Sequence, residues 1–214
     1  MIAISSAYKR ALIGVSIDGK DFVKELDANV KHSENIMPAV ASILDDNGIK
    51  LSQNDVLAVV IGPGSFTGIR IGIALVKGLI SGEENQKIVP ITTFDLMAYS
   101  YIKNNKVQED FTCVIDALSG LYFVCKYDKS GNKILSEQMI EKPEFEKIKG
   151  IKICLEEEDI TEYTVNPTAN ELLGLAKSRA KEGLYISENE LLPLYLRKSQ
   201  AEASLDEKLN NKKN

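Results

Sequence analysis

Three glycines, Gly62, Gly64 and Gly68, surround Ser65 and Thr67 in IGPGSFTGIRIGIALVKGLI, where an apolar run ends and a helical pattern begins. A glycine turn of this kind exposes backbone N–H groups at a helix N-terminus, the arrangement that holds phosphates. The spacing here is G-x-G-x-x-x-G, one residue longer than the dinucleotide fingerprint, and no Gly-Lys-Ser/Thr follows as a P-loop requires. Ser65 or Thr67 would act as a nucleophile only beside a base, and that base would have to be His32, the single histidine. A serine in this position more often caps the helix by accepting a free N–H. Asp116, at the end of a strand pattern, offers a carboxylate that either holds a metal through water or caps a turn. Gly62, Gly64, Ser65 and Asp116 are therefore the candidate nucleotide-proximal residues.

Metal chemistry has little to draw on. One histidine and three dispersed cysteines (Cys113, Cys125, Cys154) supply no Cys/His zinc set, and each cysteine lies in a strand-like apolar stretch where it reads as a small hydrophobe. The odd cysteine count suits a reducing compartment. Thirty-one acids against 26 bases give a net charge of -5, without the broad positive field of a direct nucleic-acid binder. The opening residues show no basic leader before an apolar core, and no apolar run reaches membrane-spanning length, so a cytoplasmic protein without a membrane contact is expected.

The same glycine stretch has a packing reading. On a helix from Phe66, the set Phe66, Ile69, Ile73, Val76 and Ile80 forms one apolar stripe, and Gly68, Gly72, Leu75 and Leu79 form another beside it. Helical glycines cost about 1 kcal/mol each, so two of them four residues apart imply a backbone in close approach. Spacing alone leaves the chain's own sheet and a foreign partner equally open as that neighbour.

The elements that must position these residues follow from periodicity. Met1 to Ile4, Ala11 to Ile17 and Phe22 to Leu26 read as three strands, and Asn35 to Asp46 as a helix that Asn35 caps, which places Pro38 in the first turn. Val56 to Ile61 has the continuous apolar character of a strand covered on both faces and feeds the glycine turn. A short strand at Lys87 to Val89 and a helix from Ile91 complete a first segment. After the polar KNNKVQED the order repeats, with strands FTCVID, LYFVCKYD and KILSEQMIE, then IKICLE and the amphipathic helix TANELLGLAKSRAKEG. Two segments with the same three-strand opening point to a duplicated α/β architecture: residues 1–105, residues 106–198 and a solvated tail from 199 to 214.

GPGSFTGIRIGIALVKGL resembles the signature of the bacterial TsaB family, also called YeaZ. KHSENIMP, VIDALSGLYFV and PLYLRK fall in order at family-like spacing, so the resemblance covers nearly the whole chain. It implies an actin-like ATPase fold (ASKHA, ribonuclease H-like) of two related lobes with mixed sheets and flanking helices. It also implies a part in the threonylcarbamoyl modification of adenosine 37 in tRNAs that read codons starting with A. In that family the chain is the non-catalytic scaffold that binds and activates its paralogue TsaD through helices of the N-terminal lobe. TsaE joins the assembly, tRNA is met only through the complex, and ATP and metal belong to the partner subunits. TsaD-type enzymes hold a metal with two histidines of one helix, a site that His32 alone cannot form. Ser5-Ser6 stands where the family commonly keeps an aspartate after the first strand, which disfavours nucleotide turnover.

The resemblance assigns the glycine side of the second helix to the partner. The expected interface is Gly68, Arg70, Gly72, Leu75 and Leu79, joined by Asn35, Met37, Ala41 and Leu44 of the first helix, with Arg70 paired to an inter-subunit or inter-lobe carboxylate. The same surface would pair two copies into a homodimer when TsaD is absent. A weak ATP-binding enzyme and a metallopeptidase-like protein are the competing readings.

Overall fold

The computed structural model describes residues 1–51, 55–80, 86–156, 158 and 160–196. In the first half, strands β1 (Ile2–Ser5), β2 (Ala11–Ile17) and β3 (Lys20–Leu26) lead into helix α1 (His32–Asp46), strand β4 (Leu57–Gly62), helix α2 (Phe66–Leu79), strand β5 (Ile88–Thr92) and helix α3 (Thr93–Asn104). The second half runs β6 (Phe111–Asp116), β7 (Leu121–Tyr127), β8 (Lys133–Glu141), the single turn α4 (Lys142–Phe145), β9 (Ile151–Leu155), β10 (Tyr163–Val165) and α5 (Ala169–Lys181).

The strands form two five-stranded mixed sheets, ordered β3-β2-β1-β4-β5 and β8-β7-β6-β9-β10. In each, the first three strands of the segment pair antiparallel and the last two add in parallel to the other side of the first. One topology built twice is the duplication that the repeated strand order predicts, and it is the actin-like architecture. β1 and most of β4 are buried because helices cover both faces of the first sheet. Ile4 pairs with Val59, and Gly72 of α2 sits over Val59, which puts α2 on that face with α1 beside it. Ala3 pairs with Gly14, and Leu173 of α5 lies against Gly14, which puts α5 on the opposite face.

The cores do not follow the halves of the sequence. Leu172, Leu173, Leu175 and Ala176 of α5 complete the core of the first sheet, whereas Phe94, Met97, Ala98 and Tyr101 of α3 complete that of the second. Strand order divides the chain near residue 105; packing divides it differently. α3 and α5 meet between the lobes through polar groups. Asp95 at the start of α3 bonds Arg179 near the end of α5 at 2.9 Å, and Glu171 at the start of α5 accepts from Ser100 (3.0 Å) and Asn104 (2.7 Å). A returning segment then crosses the first lobe. Ile186 bridges to Ile88, Leu191 is buried, and the Leu194 N–H donates to the Ile61 carbonyl at 2.8 Å.

Several expectations are corrected. α1 begins at His32, not Asn35, so Pro38 lies inside the helix; the Asn35 amide donates to the Lys31 carbonyl and caps nothing. Pro38 is exposed, and water can take the Glu34 carbonyl that its missing N–H frees. β10 and α4 carry too few residues to announce themselves by period. The tail from 199 to 214 lies outside the described residues, as do Arg197 and Lys198 of PLYLRK.

Candidate functional site

The glycine turn is filled by the chain itself. The Ser65 N–H donates to the Ala7 carbonyl at 2.7 Å, the Gly68 N–H to Ser65 Oγ at 3.1 Å, and the Ile69 N–H to the Ser65 carbonyl at 2.9 Å. Ser65 is thus the helix cap that its type and position indicate, and two of the donors that a phosphate would use, the Ser65 and Gly68 N–H groups, are taken within the chain. A Cβ on Gly64 would stand 2.4 Å from the Ala7 carbonyl oxygen, so the turn between β1 and β2 presses directly on the glycine turn.

Gly68 and Gly72 correct the expected interface. A Cβ on Gly68 would meet the Ser6 carbonyl oxygen at 1.9 Å, and one on Gly72 would meet Ser6 Oγ at 2.8 Å and Val59 Cγ2 at 3.4 Å. Both glycines are buried against the end of β1, and Ser6 Oγ donates to the Gly68 carbonyl at 2.7 Å. The close neighbour that helical glycines require is the chain's own first strand. Phe66, expected in the core stripe, is 39% exposed instead.

At the junction of the lobes, Ser5, Tyr8, Arg10, Thr93, Leu155 and Asn166 border a cavity of about 30 Å³. Small-molecule sites typically enclose about 300–1,000 Å³, so this space is about a tenth of such a site or less. Asp116 is exposed at the end of β6, where its Oδ1 accepts from the Leu118 N–H at 2.8 Å and steadies the left-handed turn Leu118-Ser119-Gly120. Neither Asp116 nor Gly62, Gly64 and Ser65 borders this cavity. Among the described residues no three His, Cys, Asp or Glu side chains converge as a metal site would require.

One open and mainly apolar feature is a groove of about 520 Å³ between α1 and α2, lined chiefly by His32, Met37, Ile71, Ala74, Leu75 and Leu79. Its floor is Ile36, which belongs to the core, and its outer wall includes Met37, 46% exposed. Gly78 borders it, and a Cβ placed there would meet nothing within 4 Å beyond its own helix, so here a helical glycine does face open space. Of the residues singled out from the sequence, Met37, Leu75 and Leu79 line the groove, while Ala41 and Leu44 are half-buried farther along α1. Ile71, Ala74 and Gly78 were not singled out, and His32 only as a possible catalytic base. A second face of α2 at 71, 74, 75 and 78, free of charge and lying beside the core stripe, is the signal that finds three of them.

Within the chain Arg70 meets no inter-lobe carboxylate among the described residues. Its Nε donates to the Tyr195 hydroxyl at 2.7 Å and its guanidinium lies 3.9 Å over the Phe66 ring, so its partner from the returning segment is a phenol and not a carboxylate. Phe66 and Tyr195 stack at 4.9 Å.

Comparison with known proteins supplies the context. Residues 26–154, more than half of the chain, match the family model described as TsaD, tRNA N6-adenosine threonylcarbamoyltransferase. The tRNA threonylcarbamoyladenosine biosynthesis protein TsaB of Haemophilus influenzae is 31% identical over 125 residues, 58% of this chain and 52% of that protein. The Escherichia coli TsaB is 35% identical over 104 residues, 49% of this chain and 44% of that protein. The chain thus spans about half the length of these curated relatives in the matched region. A Pseudomonas aeruginosa crystal structure, described as an uncharacterized protein with similarity to peptidase YEAZ, superposes with a TM-score of 0.75 at 22% identity, covering 92% of this chain and 98% of that one.

Proposed function

Because the chain belongs to the TsaB (YeaZ) group of the TsaD family, we propose that it is a non-catalytic scaffold subunit in threonylcarbamoyl modification of adenosine 37 of tRNA. It docks TsaD through the groove between α1 and α2 and holds it in its active form. TsaE joins that assembly, tRNA reaches the complex through the partners, and the chemistry is theirs. The same groove pairs two copies when TsaD is absent.

The carrying observation is the contrast between the two features of α2. At its N-terminal turn, where an ATPase would hold phosphate, Ala7 and Ser65 take the Ser65 and Gly68 N–H groups, while its outer face leaves Ile71, Ala74, Leu75 and Leu79 open along α1. Two helices with unpaired apolar faces bury them by packing against two more, and a paralogue with the same lobe offers such a pair. A metallopeptidase reading gains nothing from the described residues, where no metal cluster forms.

Native mass spectrometry of the protein with its own organism's TsaD tests the reading. The wild-type chain is expected to form a stable complex. Ala74→Arg, which places a charge on an already exposed position, is expected to leave the fold intact and eliminate the complex along with t6A synthesis in a reconstituted reaction. A wild-type chain that stays apart from TsaD, or an Ala74→Arg variant that binds unchanged, overturns it.

A further inference from the structure

The cluster of Arg70, Phe66 and Tyr195 is assembled from two distant parts of the chain. Phe66 and Arg70 are four residues apart on α2, which places ring and guanidinium on one face. Tyr195 arrives from the returning segment, fixed by the Leu194 to Ile61 hydrogen bond and by burial of Leu191. Phe66 supports one flat face of the guanidinium, and the Tyr195 hydroxyl takes Nε. The Nη1 and Nη2 end of the fork has no acceptor among the described residues, and the side chain is exposed.

Three further observations bear on what that end meets. Residues 61–80 contain Arg70 and Lys77 but no Asp or Glu, in a chain whose net charge is -5. Phe66 and Tyr195 remain 39% and 40% exposed although both are aromatic, and aromatic rings with an arginine make up the chemistry of interface anchors. Arg70, Ala74 and Gly78 follow one another at four-residue spacing, so the guanidinium shares a face of α2 with two residues that line the groove and stands one turn beyond its end.

We infer that Arg70 is a preorganised fork that receives a carboxylate of the docked partner end-on, and that Tyr195 is its positioning residue. The docking surface is then composite: α1 and α2 supply the apolar groove, and the returning segment completes its charged end. The inference rests on the docking reading above and adds to it the chemistry of the partner, which must carry an acidic side chain at the rim of its apolar face. Holding the guanidinium before docking reduces the entropy lost when the pair forms.

Calorimetric titration with TsaD at low and high salt separates the possibilities. Arg70→Met is expected to weaken docking by about tenfold or more and to flatten its salt dependence, with an unchanged melting temperature. Tyr195→Phe removes only the hydroxyl and is expected to weaken docking by about threefold in the wild-type background and not at all beside Arg70→Met, because the tyrosine acts through the arginine. Arg70→Lys, which keeps the charge but loses the fork, should fall between. If Ala74→Arg abolishes docking while Arg70→Met keeps both affinity and salt dependence, the anchor is wrong and the groove stands. Should neither substitution alter binding, both are overturned.

Discussion

Gly68 and Gly78 lie ten residues apart on one helix and demand opposite things. At Gly68 a methyl group would enter the space of the Ser6 carbonyl oxygen, 1.9 Å away, and that oxygen belongs to backbone that cannot rotate aside. Gly68→Ala should therefore cost about 3 kcal/mol or more, the upper range for overpacking. Gly72→Ala meets a hydroxyl at 2.8 Å, which can turn, so a cost of about 1–2 kcal/mol is expected. Gly78→Ala has open space and should gain up to about 1 kcal/mol from helix propensity alone. Urea midpoints of the three variants give the order directly, and a stable Gly68→Ala protein would contradict the packing of α2 on β1. The pattern small-x-x-x-small at 68 and 72 was readable as a close backbone approach, but a linear sequence does not say whose backbone. The carbonyl of Ser6, sixty-two positions earlier, decides it.

The seam between α3 and α5 shows what two elements accomplish together. Asp95 is nearly buried, with Arg179 at 2.9 Å, Lys133 at 3.5 Å and the Tyr127 hydroxyl at 2.8 Å, besides closing a capping box with Thr92. Burial alone would push its carboxyl up, but Arg179, Lys133 and the hydrogen bonds from Thr92 and Tyr127 together hold it below its ordinary value. A carboxylate whose folded pKa is depressed contributes its stabilisation above the unfolded value, near 4, and loses it as pH falls through the folded value. Asp95→Asn should thus destabilise by roughly 3 kcal/mol at neutral pH, since it leaves Arg179 without its carboxylate and Lys133 with Glu137 alone. The gap from wild type should begin to narrow below about pH 4 and close only as pH falls through the lower folded value, where the native group takes up its proton. Denaturation curves at several pH values test the sign, and a gap that widens in acid would refute the assignment. On the same sheet Cys113 and Cys125 face each other across β6 and β7, and burial pushes both thiols up, Cys125 to about 12, as fits the small-hydrophobe reading.

At the scale of the molecule, the helix that follows each sheet in sequence is not the helix that completes its core, and this ties the lobes together. A fragment of residues 1–105 keeps the first sheet but loses Leu172, Leu173 and Leu175, and it leaves Phe94 and Met97 of α3 without the sheet they cover. That fragment is expected to be unfolded by circular dichroism and to regain structure when mixed with residues 106–214; independent folding of the fragment would show that the cores are separable. The sequence by itself determined every strand but β10, the duplicated order, the Ser65 cap and the family, because each rests on local period, turn chemistry or a contiguous motif. It also determined that α2 carries more apolar surface than a single stripe requires. Only the tertiary structure decided which part of that surface is covered. Gly68 and Gly72 went to β1, Ile71, Ala74 and Leu75 were left beside α1, and Arg70 found Tyr195 from 125 residues away. Periodicity fixes the angle of a side chain around its own helix axis, but what lies at that angle depends on chain that returns from elsewhere, and the returning chain leaves no mark on the local pattern.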